Sequence, residues 1–199
     1  MSTAATPPKE RIRAHAADLG FDLVGFTTLR PSDHAAFYRR WLAEGRHGTM
    51  DYLARPAAVE ARLDPAARWP ELRSAIVVGM NYFPGDDGAA GSTAGAADPA
   101  RGVIARYARG RDYHKVIKQK LMRLLDRLEA ETGRALPAER AYVDTGPVLE
   151  RELARRAGLG WFGRSAMLIH PRRGSYFFLG ALLVELEIEP DAPFDADHC

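Results

Sequence analysis

The sequence predicts an α/β fold of the α+β kind, a mixed central sheet flanked by helices, and three observations carry that expectation. Segments with apolar residues at helical spacing alternate along the chain with short, unbroken apolar runs. One of those runs, 74–81, holds Ala75, Ile76, Val77, Val78, Gly79 and Met80 without a charge, which suits a strand buried on both faces at the centre of a sheet. The last two runs, 165–170 and 175–187, are joined by Pro171-Arg172-Arg173-Gly174, a turn that makes them a hairpin and argues against a purely parallel, doubly wound sheet.

Each element has its own signal. Over 8–20, Ile12, Ala16 and Leu19 fall on one helical face and Gly20 stands where a C-cap would. A strand follows at 22–27. The next helix opens after Pro31-Ser32-Asp33, whose side chains can cap free N–H groups, and runs to about residue 44. Short helical turns broken by Pro56 fill 52–62, and another begins at Asp64-Pro65 and reaches about residue 73. Residues 84–102 form a Gly/Ala/Asp stretch without periodicity, expected as a mobile surface loop. A short strand is expected at 103–107. Residues 112–131 make the strongest helix, with Ile117, Leu121, Leu124, Leu125 and Leu128 on one face and Gly133 beyond its end. A strand ends at 141–143, Pro147 suits the first turn of a helix reaching Ala157, and Gly158 closes it.

Composition narrows the function. A chain of 199 residues that is 46% hydrophobic can bury a core without disulfides, and a net charge of +2 makes it neither a polycation nor an acidic tail. Its single cysteine, Cys199, excludes a disulfide framework and points to the cytosol. No apolar run is long enough to span a bilayer, and the first residues lack the pattern of a secretory signal. The patterns H-E-x-x-H, C-x-x-C and G-x-S-x-G are absent, so zinc-protease, redox-thiol and hydrolase chemistry find no support.

Four stretches hold chemistry worth weighing. Residues 158–165, Gly-Leu-Gly-Trp-Phe-Gly-Arg-Ser, satisfy G-x-G-x-x-G, but a helix precedes the glycines and a strand follows, so a phosphate would find no helix N-terminus and a tight turn is favoured. Asp112-Tyr113-His114 resembles the start of D-x-H-x-x-G, the pattern of a histidine ligand to cobalt, yet Ile117 stands where the glycine belongs. Residues 101–123 carry eight cations against one acid, Asp112, with Tyr107 and Tyr113 interleaved, which suits either a phosphate backbone or a solvated helix face. Asp144 leaves a strand end just ahead of a helix, where α/β sheets bind ligands, though local chemistry equally makes it an N-cap.

Together, Arg62-Leu63-Asp64-Pro65, the run 106–114, V-D-T-G-P-V-L-E-R at 143–151, 158–168 and Gly174-Ser175-Tyr176-Phe177 resemble, in order and spacing, the N-terminal part of the epoxyqueuosine reductase family. The resemblance spans nearly all of the sequence except the Gly/Ala loop. It implies a cobalamin-binding α/β domain over 1–190, resembling that of reductive dehalogenases, and over 191–199 the start of a truncated ferredoxin-like domain. The reaction it implies removes the epoxide oxygen of epoxyqueuosine at the tRNA wobble position to give queuosine, with cobalamin and two [4Fe–4S] clusters as cofactors. Asp144 falls on the family's proton donor. Arg62, Ala105, Leu168 and Leu179, with Asp144, fall at corrin-lining positions, and some relatives have cysteine where this chain has Ala105.

Further expectations follow from that resemblance. Cobalt lacks a protein histidine beneath it, because the D-x-H-x-x-G match fails. Arg109, Arg111, Lys115 and Lys118 are the expected tRNA contacts. Asp197-His198-Cys199 matches the beginning of a cluster motif, with Cys199 a metal ligand, so the chain is expected to be a fragment without activity of its own. The expected partners are tRNA and an external electron donor, with no membrane; a cytoplasmic monomer is expected. The alternative from a different class is a non-catalytic RNA-binding module that uses the basic segment 101–123.

Overall fold

The structure, a computed structural model, describes residues 6–83, 102, 104–136 and 140–194. The expected loop at 84–102 lies outside these except for Gly102, and so do Arg101, Val103 and the cluster-motif residues 197–199 with Cys199.

Helix α1 (Lys9–Asp18) leads into β1 (Leu23–Thr28), followed by α2 (Ala35–Ala43), a 3₁₀ turn at Asp51–Leu53, α3 (Pro56–Leu63) and α4 (Pro65–Arg68). Pro56 sits in the first turn of α3, and the Asp64 carboxylate accepts from the Ala67 N–H to cap α4. Strand β2 (Ser74–Asn81) is followed by a 3₁₀ turn at Arg106–Ala108, α5 (Tyr113–Thr132), β3 (Ala141–Tyr142), α6 (Glu150–Arg156), β4 (Trp161–Phe162), β5 (Leu168–Ile169) and β6 (Phe177–Val184).

The main sheet has the order β1-β2-β6-β3, and its pairings are all antiparallel. β2 is central, with Ser74 to Gly79 buried. One face packs on α1 and α5: Ile76, Val78 and Leu182 meet Ile12, Ile117 and Leu121. The other packs on α6: Ala75, Val77 and Leu183 meet Leu153, Ala154 and Ala157. The helix-covered sheet expected from the sequence is thus present, and all five apolar residues of the α5 face are buried.

Four expectations are corrected. The terminal hairpin does not form: β5 pairs with β4 in a separate two-stranded sheet, while β6 inserts between β2 and β3, leaving only the bridge His170 to Gly174 across the turn. The apolar pattern of β6 finds more buried partners in the main sheet than one short neighbour could offer. No strand forms at 104–107; Arg106–Ala108 turns instead. α4 stops at Arg68 because Trp69 and Leu72 turn into the core. α6 starts three residues after Pro147, because the segment between delivers Val148 into the core first.

Residues 191–194 remain packed on this body. Asp191 exchanges backbone hydrogen-bonding with β1, its N–H donating to the Phe26 carbonyl and its carboxylate accepting from the Phe26 N–H, and it pairs with Lys9 and Arg13 at 2.6 and 2.8 Å. Burial pushes that carboxyl up, but the Lys9 and Arg13 hydrogen bonds outweigh it and hold it below the usual carboxylate range.

Candidate functional site

Asp144 stands directly beyond β3. The Thr145 N–H donates to the Val143 carbonyl at 2.6 Å, closing a three-residue turn whose central residue, Asp144, has φ 56°. A non-glycine residue there is strained, and the surroundings must hold it. On one side Gly146 lies flat on the Tyr142 ring, where a Cβ would come within 2.0 Å of a ring carbon. On the other, the Tyr113 hydroxyl donates to Asp144 Oδ2. Asp144 is therefore no helix cap; the residue preceding α6 is Leu149.

The start of α5 supplies the second half of this group. Asp112 caps the helix, accepting from the His114 N–H, and its Oδ1 lies 3.0 Å from His114 Nδ1. That pairing holds the Asp112 carboxyl below its ordinary range. His114 Nε2 lies 3.9 Å from Asp144 Oδ2. The Tyr113 ring stacks on Phe178 at 3.9 Å, nearly parallel at 7°, and on His114 at 4.0 Å. Burial, then the hydrogen bond to Asp144, pushes the Tyr113 phenol up.

Six residues on, Glu150 opens α6 with Oε1 sealed from solvent and without a hydrogen-bond partner. Burial pushes its carboxyl up to about 7; its own backbone N–H, Arg62 and Arg151 act against the rise, and the charge of Asp144 adds to it. Asp144 itself is 56% exposed.

The remaining sequence candidates divide between two places. Leu168 and Leu179 belong to the apolar cluster on the α6 face of the sheet, beside Ala61 of α3, and half-buried Arg62 donates from that helix to the Ala58 carbonyl. Across the sheet a cavity of about 480 Å³ opens between the end of β2, the 106–108 turn and the start of α5. Arg106, Arg109, Arg111 and Lys120 line it, with the rings of Tyr107 and Tyr113. Arg106 also lies over the Phe83 ring at 4.9 Å, and Arg109 donates to the Ile104 carbonyl at 2.8 Å. Burial pushes the Lys120 ammonium down, Asp22 acting against it and Arg111 with it. Lys115 and Lys118 are exposed on α5 and do not line the cavity; Ala105 is exposed at the 106–108 turn. Asp144 reaches the cavity through Tyr113, whose ring forms part of the cavity wall with Phe178.

At 158–165 the strand β4 lies inside the glycine run, ahead of Gly163, and the expected strand after it is β5 at Leu168–Ile169, with no helix between; Gly160 (φ 146°) lies where a Cβ would meet the Ile169 carbonyl at 2.1 Å. The stretch is a close-packed turn and not a phosphate cradle. Among the described residues no group of three or more His, Cys, Asp or Glu side chains could hold a metal ion, and no helix is long and apolar enough to cross a membrane. Sequence reasoning missed Glu150, Arg106 and Lys120 as site residues and the part Tyr113 plays. The signal for Glu150 was its place six residues after Asp144 in one motif, and for Lys120 and Arg106 their place in the basic run.

The family model described as "Epoxyqueuosine reductase QueG, DUF1730" matches residues 62–145. An epoxyqueuosine reductase of Pseudomonas aeruginosa is 40% identical over 190 residues, covering 96% of this chain and 51% of the relative. The chain spans about half the length of the curated relatives it matches. Its fold is similar to a crystal structure of epoxyqueuosine reductase with an epoxyqueuosine-modified tRNA-Tyr stem loop, at TM-score 0.75 and 30% identity over 93% of this chain and 47% of that one. A reductive dehalogenase shares the fold at TM-score 0.56 and 17% identity, over the whole of this chain and 23% of that one.

Proposed function

We propose that the chain belongs to the epoxyqueuosine reductase family and holds the cobalamin-binding and proton-donating part of an enzyme reducing epoxyqueuosine to queuosine at the wobble position of tRNA. The observation that carries this reading is the position of Asp144, just beyond a strand end and hydrogen-bonded to Tyr113 in the wall of a cationic, aromatic-lined cavity. A corrin needs an apolar surface with polar groups at its rim. Half-buried Leu179 offers the first, with Leu168 buried in the same cluster, and Arg62 and Asp144 offer the second, so these residues fit the group, with Ala105 able to add only a methyl. The clusters fit less well: Cys199 is the only cysteine of the sequence, and a [4Fe–4S] cluster takes four thiolates. An external donor is the proposed source of electrons.

Cobalamin, when bound, supplies reducing electrons to the substrate carbon that carries the epoxide oxygen. Asp144 gives a proton to that oxygen as its first bond to carbon breaks; a second proton, from solvent, and cleavage of the remaining C–O bond then release the oxygen as water and leave a double bond between the two ring carbons, two electrons and two protons in all. A corrin and substrate packed over Asp144 would exclude water from it. Arg109 and Arg111, with Arg106 and Lys120, offer charge to phosphate oxygens, and exposed Tyr107 offers a ring face to a base. Lys115 and Lys118 extend that charge along the exposed side of α5. A cytoplasmic monomer acting on tRNA completes the proposal.

Titration of cob(II)alamin with this protein, followed by absorption, tests it. A changed spectrum is expected; a spectrum identical to the free cofactor overturns the cobalamin assignment. If tRNA nevertheless binds with a steep salt dependence, a non-catalytic RNA-binding module is the reading that remains.

A further inference from the structure

Tyr113 does two separable things. Its ring completes a stack running from Phe178 of β6 to His114 of α5, a task phenylalanine would perform equally. Its hydroxyl donates to Asp144 Oδ2, which the stack does not require. The turn receiving that bond is strained, with Asp144 at φ 56°, and the side chain it presents is 56% exposed, so packing alone does not direct the carboxylate. His114 Nε2, at 3.9 Å from the same oxygen, lies beyond hydrogen-bond reach and adds no direction.

We propose that Tyr113 is a positioning residue: its hydroxyl, immobilised by the stack between Phe178 and His114, holds the strained Asp144 turn in the orientation from which the carboxyl meets its substrate. The inference rests on the reading of Asp144 as the acid, but its structural part stands apart from that reading. The rise of the Tyr113 phenol under burial and the Asp144 charge accords with a bond held in place.

Tyr113→Phe keeps the stack and removes only the bond. In the cofactor-free protein, ¹⁵N relaxation should show residues 143–146 loosened while α5 and β6 are unchanged, and ultraviolet titration of Asp144→Asn should show the Tyr113 phenol ionising at lower pH. In the whole enzyme Tyr113→Phe should lower kcat on the order of 10²-fold with KM unchanged, the scale on which a small misplacement of a reacting group acts. Asp144→Asn, nearly isosteric, should keep the cofactor and lose on the order of 10²–10⁴-fold in rate. A turn as rigid in Tyr113→Phe as in the parent overturns the proposal, and so does a normal kcat for Tyr113→Phe beside a slow Asp144→Asn. A loosened turn with normal turnover in both variants instead overturns the reading of Asp144 as the acid, and the positioning role with it.

Discussion

Glu150 holds its carboxyl in an environment that this residue type does not prefer. A carboxyl held at about 7 in the folded protein, against 4.5 for the unperturbed group, binds its proton more tightly folded than unfolded. Its contribution is therefore fully present below pH 4.5 and is lost as pH rises through about 7, with a total of about 3 kcal/mol. Glu150→Gln should remove that slope, so that urea midpoints of parent and variant diverge across this interval and the variant is the more stable at pH 8. An unchanged pH dependence would place the Glu150 carboxyl in water. Such a residue is hard to find from sequence, since a glutamate opening a helix ordinarily reads as a favourable partner for the helix dipole. Only the packing around Oε1 distinguishes it.

Helix α5 joins stability to the site through its first residues. Asp112 both caps the helix and fixes His114, so Asp112→Ala should cost about 1 kcal/mol, a fall of about 2–4 °C in Tm, and free the His114 ring. A Tm within error of the parent would mean the cap is replaced by water. α5 and β2 were legible in the sequence because each is long and its pattern unambiguous: a five-residue apolar face closed by Gly133, and a charge-free run. β4 and β5, at two residues each, carry no period to read, and the apparent hairpin failed because a turn signal at Pro171 to Gly174 says nothing of where the strands beyond it pair. Asp144 was legible as a strand-end carboxylate. Its strain and its bond to Tyr113, 31 residues away in sequence, depend on tertiary packing.

At the scale of the molecule, Asp191 fastens the last described segment to the first helix and strand. Its carboxyl lies below the unfolded value, so this contribution is present above pH 3.8 and is lost as pH falls through the lower folded value. Asp191→Asn should cost about 1–3 kcal/mol at neutral pH and flatten the acid limb of the stability curve; equal stability at pH 7 would show the ion pairs to be dispensable. Strand β6 ties the two sides of the sheet together in another way. Phe178 turns to the α5 side and anchors Tyr113, while its neighbour Leu179 turns to the α6 side among the expected corrin contacts. The strand's alternation thus works as a ruler shared by the two faces: a slip of one residue would withdraw the ring from one and the leucine from the other in a single event, so neither face can drift in register without the other.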